Sequence, residues 1–97
     1  MAELEKLQMY IDGARVDAAG GEAFESLNPF TGKAWATVPR GGPEDAERAV
    51  AAAKKAFTSG DWPAMTPTAR GHLLRKLGDL IAENAERLAK IEVQDNG

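Results

Sequence analysis

The sequence predicts a segment in which short antiparallel β-strands and hairpins come first and two α-helices follow. Three observations carry this. Up to residue 40, apolar and polar residues alternate between clusters of turn formers; at Gly41-Gly42-Pro43 the pattern changes; and from there apolar residues recur at steps of three and four.

Tyr10-Ile11 and Ala14-Arg15-Val16 flank Asp12-Gly13. A two-residue hairpin loop of type I′ needs positive φ, which Gly accepts freely, so this stretch reads as two strands and a tight turn. Gly20-Gly21 makes a second break. Phe24-Glu25-Ser26-Leu27 then alternates with the period of two that a half-buried strand requires. Asn28-Pro29 ends that strand. Pro29 presets φ and Gly32 tolerates the left-handed region, so 29–32 reads as a tight turn into a strand over Ala34-Trp35-Ala36-Thr37-Val38. Residues 1–40 are therefore β-strands and turns.

Pro43 suits a first helical turn, Glu44 and Asp45 complement the positive helix end, and Lys54-Lys55 lie toward the negative end. Helix one is expected over 43–59, with Ala46, Ala49, Val50, Ala53, Ala56 and Phe57 on one stripe and Ser59-Gly60 as its stop. Thr66 offers an N-cap hydroxyl and Pro67 a first-turn proline for helix two, 66–94, on which Leu73, Leu77, Leu80, Ile81, Leu88 and Ile91 share a face. Glu83 with Arg87 and Glu86 with Lys90 are acid-before-base pairs four apart, each adding ~0.3 kcal/mol on a solvated face. Gly71 and Gly78 each cost roughly 1 kcal/mol against alanine unless a neighbouring backbone approaches closely. There is no repeat, linker or low-complexity segment.

With 97 residues the chain makes one small unit that buries about 60 to 65% of its extended surface. Twelve basic and fifteen acidic residues leave a net charge of −3, which gives no general attraction for nucleic acid or anionic lipid. Met1-Ala2-Glu3-Leu4-Glu5 lacks the pattern of a secretory signal, and no apolar run approaches the ~20 residues that span a bilayer. The reading is a soluble, cytoplasmic protein without membrane or nucleic-acid partners. The absence of cysteine excludes disulfides, thiolate metal sites and thiol catalysis within the chain.

His72 is the single histidine and has no cysteine, second histidine or spaced carboxylate near it, so it reads as solvated or capping. Gly20-Gly21 and Gly41-Gly42 do not continue as phosphate-loop patterns and read as turns. Trp35, Phe57 and Trp62 have no basic residues interleaved with them and read as core packing, not base stacking. Arg70, Arg75 and Lys76 form a small basic patch, suited to a partner contact or a structural ion pair. No catalytic, cofactor-binding or metal-ligating residue is assigned.

Taken together, Tyr10-Ile11-Asp12-Gly13, Phe24 to Asn28-Pro29, Thr31-Gly32, Ala49 to Phe57, Trp62, Arg70, Leu74 and Asp95-Asn96-Gly97 resemble, in order and spacing, the start of an aldehyde dehydrogenase. The resemblance covers essentially the whole chain. It implies an α/β parent fold in which 1–97 is the N-terminal segment of the dinucleotide-binding half, without the catalytic domain. It also implies a parent enzyme that oxidises aldehydes with NAD or NADP through a cysteine nucleophile, a glutamate base and an asparagine amide, all beyond Gly97. Family members commonly continue from Asn-Gly into a lysine-proline step, so the chain is expected to be cut from a longer protein. Two departures stand out: Ala69 where an acid is common, which removes a capping box, and Gly78 where alanine is common.

The expected function is an N-terminal scaffold segment of an NAD(P)-dependent aldehyde dehydrogenase, inactive as an isolated chain and binding no cofactor alone. Its partners would be the remainder of the dehydrogenase chain and, in the parent, further copies in a homo-oligomer. The alternative is a stand-alone interaction module that self-associates or docks through its apolar helix faces.

Overall fold

Alternation and turn chemistry build the first half of the molecule. In the computed structural model, which describes residues 3–97, β2 (Met9–Ile11) and β3 (Ala14–Val16) form an antiparallel hairpin with Tyr10 opposite Arg15. Asp12 has φ 52° and Gly13 φ 77°, the two positive values that a type I′ turn needs. The leader reading includes Met1 and Ala2, which lie outside the described residues.

β4 (Ala23–Asn28) and β5 (Lys33–Pro39) are antiparallel, with Phe24 opposite Val38 and Ser26 opposite Ala36. The register shifts between Ser26 and Leu27, so Leu27 faces Ala34. The connecting turn is held by its own side chains. Asn28 Oδ1 accepts from Phe30 N at 2.9 Å, Thr31 Oγ1 accepts from Lys33 N at 3.2 Å, and Gly32 N donates to Asn28 O at 2.7 Å.

One strand was not foreseen. β1 (Glu5–Lys6) pairs in parallel with β5, Glu5 beside Ala36, giving the sheet order β1-β5-β4. Two residues carry no periodicity, and the partner lies some thirty positions away, so no local pattern announces this strand. Its consequence is that β5 is central and Ala36 is fully buried.

α1 spans Pro43–Ser59 and ends at Gly60, where a Cβ would stand 2.7 Å from the Ala56 carbonyl oxygen. A single helical turn, α2 (Asp61–Ala64), follows and was also not foreseen. α3 (Pro67–Glu83) starts as expected, with Thr66 Oγ1 accepting from Ala69 N at 3.1 Å. The helix expected over 66–94 is broken at Asn84, and its second part is α4 (Ala85–Asn96). The cause is local competition. Asn84 directs its side-chain Nδ2 onto Leu80 O at 2.8 Å, while its own amide is shared between Leu80 O and Ile81 O, and its backbone leaves helical values at φ −104°, ψ 14°.

The break redirects one charge pair. Glu86 and Lys90 meet at 3.2 Å as read, but Arg87 faces Glu5 of β1 at 3.9 Å instead of Glu83. Nothing among the described residues lies within 4 Å of a Cβ placed on Gly71 or Gly78, so no close backbone approach offsets their cost here.

The aromatic core reading needs correction. Trp35 is half-buried, but Trp62 is exposed and Phe57 is 80% exposed. Among the described residues the buried apolar side chains are two alanines, Ala18 and Ala36, while fifteen large apolar side chains are exposed. The stripes on α1, α3 and α4 formed as the periodicity required. Within residues 3–97 they stay largely uncovered.

Candidate functional site

Among the described residues, polar and charged side chains converge at three junctions. Among the described residues no group of three or more His, Asp or Glu side chains is placed to hold a metal ion. His72 stands exposed on α3.

The first junction joins the Asn28–Gly32 turn to the end of α4. Asp95 Oδ1 accepts from Ser26 Oγ at 2.6 Å and from Trp35 Nε1 at 3.3 Å, so one carboxylate ties the last helical turn to both strands of the β4–β5 pair. Two motifs more than sixty residues apart thereby become neighbours. Gly97 has φ 82°, and a Cβ there would stand 3.3 Å from both the Phe30 amide nitrogen and Pro29 Cβ. In the complete protein, Gly97→Val is expected to cost about 2 kcal/mol through left-handed strain and that close approach. The urea midpoint checks it, and an unshifted midpoint would mean that the turn moves aside freely.

The second junction is Asp45, 4% exposed. Its carboxylate accepts from Gly42 N at 3.0 Å, closing the first turn of α1, and from Ala19 N at 3.0 and 3.3 Å, pinning the chain that follows β3. Arg48 lies 3.9 Å away on the same helix. The amide of Gly42, then that of Ala19, hold the carboxyl below its ordinary value of 3.8, with Arg48 adding to the effect and burial opposing it. The amide that a phosphate would use is taken by a carboxylate whose negative charge occupies the helix N-terminus. Gly21, with φ 75°, closes a turn onto Ala18 O at 2.8 Å.

The third junction is Trp62 with Arg70, whose guanidinium carbon lies 6.0 Å from the ring centroid. The structural ion pair anticipated as one role for Arg70 is not present among the described residues.

An open groove of about 1000 Å³ runs along α4, lined by Glu5, Glu83, Glu86, Arg87, Lys90 and Ile91. Its acids and bases pair with each other, as at Glu86–Lys90 and Glu5–Arg87. No acid there stands beside a nucleophile.

Sequence reasoning missed the roles of Asp45 and Asp95. Asp45 had a signal, an acid three residues after the last residue before the helix, but it was read for the helix dipole alone. Asp95 had none, because its partners are Ser26 and Trp35.

Comparison with known proteins places these junctions in context. The model of the aldehyde dehydrogenase family matches residues 16–97. The chain is 42% identical over all its 97 residues to aldehyde dehydrogenase family 2 member C4 of Arabidopsis thaliana, of which it covers 19%. It is 46% identical over 90 residues, 93% of this chain, to the cytosolic 10-formyltetrahydrofolate dehydrogenase of Xenopus laevis, of which it covers 10%. The NAD+ complex of an aldehyde dehydrogenase from Bacillus cereus superposes with a TM-score of 0.92 at 47% identity, over 96% of this chain and 19% of that one. The chain thus spans about a fifth or less of the length of these relatives.

Proposed function

This chain belongs to the aldehyde dehydrogenase family, and we propose that it serves as the N-terminal scaffold segment of the dinucleotide-binding half of an NAD(P)-dependent enzyme that oxidises an aldehyde to a carboxylic acid. Its strands and helices present a framework onto which the rest of the polypeptide folds. The chemistry is carried elsewhere: thiohemiacetal formation needs a thiolate, and these 97 residues contain no cysteine. No catalytic, cofactor or metal residue is assigned to the segment itself. The Bacillus cereus relative, whose structure is an NAD+ complex, supports the cofactor class of the parent. The cytosolic Xenopus relative supports a cytoplasmic location, and among the described residues no helix is long and apolar enough to cross a membrane.

The observation that carries this reading is the surface. The accessible area is 7875 Å², against about 5400 Å² for a compact chain of this mass. The difference, about 2500 Å², is of the size that obligate interfaces bury. The radius of gyration is 17.0 Å, where a compact chain of this length gives about 13 Å. Both values describe a layer waiting for its cover, which the remaining length of a family member supplies.

The same exposed faces favour a second reading, a module that associates with itself or with another protein. One experiment separates scaffold from enzyme. An intact mass of the protein as produced by its gene, followed by an NAD- and NADP-linked aldehyde oxidation assay, is expected to show a chain several times longer that turns over, while residues 1–97 alone show no turnover. Aldehyde oxidation by the cysteine-free chain would overturn the proposal.

A further inference from the structure

Asn96 and Gly97 form the single Asn-Gly pair of the sequence, and Asn96 is exposed. This pair is chemically labile. The glycine nitrogen, unshielded because its residue has no Cβ, can attack the asparagine Cγ. Ammonia leaves as a five-membered succinimide closes, and water then reopens the ring to Asp or to isoaspartate, in which the chain runs through the former side chain. Water is the only co-reactant.

The end of α4 keeps the two reacting atoms apart. α4 continues through Asn96, so the Cα–Cβ bond of Asn96 leans toward the start of the helix, away from the Gly97 nitrogen. That nitrogen is itself engaged, donating to Val93 O at 2.7 Å. Attack therefore requires the last turn to open. Two contacts resist opening. Asp95 Oδ1 accepts from Ser26 Oγ at 2.6 Å and from Trp35 Nε1 at 3.3 Å, and Gly97 lies so near the Asn28–Gly32 turn that a Cβ on it would stand 3.3 Å from Pro29 and Phe30.

The product would not fit back. The last turn of α4 carries no base, so conversion sets a new carboxylate beside Asp95 at the negative end of the helix with nothing local to offset it. Isoaspartate also inserts a backbone carbon where Gly97 and Pro29 are already close.

We propose that Asn96 is a latent deamidation site gated by the Asp95 clasp: closed, the clasp protects the pair, and each opening of the last turn of α4 risks a covalent change that keeps it open.

The test follows Asn96 by peptide mass mapping while the complete protein is held at mildly alkaline pH, beside a free peptide carrying the same residues. Conversion in the protein is expected to be at least about tenfold slower than in the peptide. Asp95→Ala is expected to raise it about tenfold, the order set by losing hydrogen bonds to a charged group. Ser26→Ala, which removes one bond and keeps the carboxylate, is expected to raise it less. Hydrogen exchange at the Ala19 amide, held by the separate Asp45 junction, should stay unchanged in both variants. Protein and peptide converting at one rate, or both variants converting no faster than the unaltered protein, overturns the proposal; so does an equal rise in exchange at Ala19, which would mean that the whole fold has loosened. Should Asp95→Ala fail to fold, Ser26→Ala decides. None of these readouts needs turnover, so they stand whether or not the complete protein oxidises an aldehyde.

Discussion

Purified alone, residues 1–97 are expected to lack a cooperative thermal transition, to bind hydrophobic dyes and to sediment as a molten or aggregating species. The basis is the balance of burial against ordering. Fixing each residue costs roughly 1–2 kcal/mol of conformational entropy, which folding must offset chiefly by removing apolar surface from water. Here the enclosed apolar side chains among the described residues are Ala18 and Ala36, the smallest such side chains there are. Leu73, Leu77, Leu80 and Ile81 of α3 stand between 44% and 53% exposed, so the helix gains little of the stabilisation its sequence is patterned to supply. The two-stranded hairpin β2–β3 is marginal without further strands. Far-ultraviolet circular dichroism should retain part of the helical signal while near-ultraviolet signals from Trp35 and Trp62 collapse. A sharp transition together with a defined dimer or tetramer in sedimentation would reverse the conclusion and favour the interaction module.

Replacing Asp45 with alanine in the complete protein is expected to accelerate hydrogen exchange at the Ala19 and Gly42 amides by about tenfold or more. Both amides donate to this carboxylate, and its removal leaves two donors at a junction only 4% exposed. The effect has a pH signature. Because the amides of Gly42 and Ala19 favour the ionised form, the folded pKa lies below the ordinary 3.8. The contribution is complete above that ordinary value and is lost as pH falls through the lower, folded one. Asp45→Asn keeps the shape but cannot ionise, so its stability should fall less steeply below pH 3.8 than that of the unaltered protein. Identical acid limbs for the two proteins would show that the carboxylate's charge is not coupled to folding.

Several features of this fold were open to a reader of the sequence alone because their causes act over four residues or fewer. Asp12-Gly13 selects its turn through its own φ values, and Thr66 caps α3 through a bond to Ala69, three residues on. Pro43 and Gly60 bracket α1 for equally local reasons. The break at Asn84 is as local, yet it went unread: the apolar steps continue through it, and asparagine is tolerated in helices often enough that only its bond to Leu80 decides.

The candidate junctions divide along the same line. The resemblance carried by Asn28-Pro29 and Asp95-Asn96-Gly97 was visible, but not that Ser26 and Asp95 would share a hydrogen bond at 2.6 Å. The spacing of Phe57 places it on the apolar stripe of α1 and so predicts a core position; that stripe exists, and Phe57 is nevertheless 80% exposed. Periodicity states which face seeks cover, not whether a cover is within the same hundred residues.

By itself, then, the sequence determined the family through the order and spacing of its motifs, the turns and caps through side chains meeting their own or adjacent backbone, and the apolar faces of the helices through residue spacing. Only the tertiary structure decided that β1 joins the sheet in parallel, that Asp45 and Asp95 become fasteners, and that Arg70 lacks an acceptor among residues 3–97. These depend on groups far apart in the chain coming within 3 to 4 Å, and that proximity is set by the whole fold, not by any window of sequence.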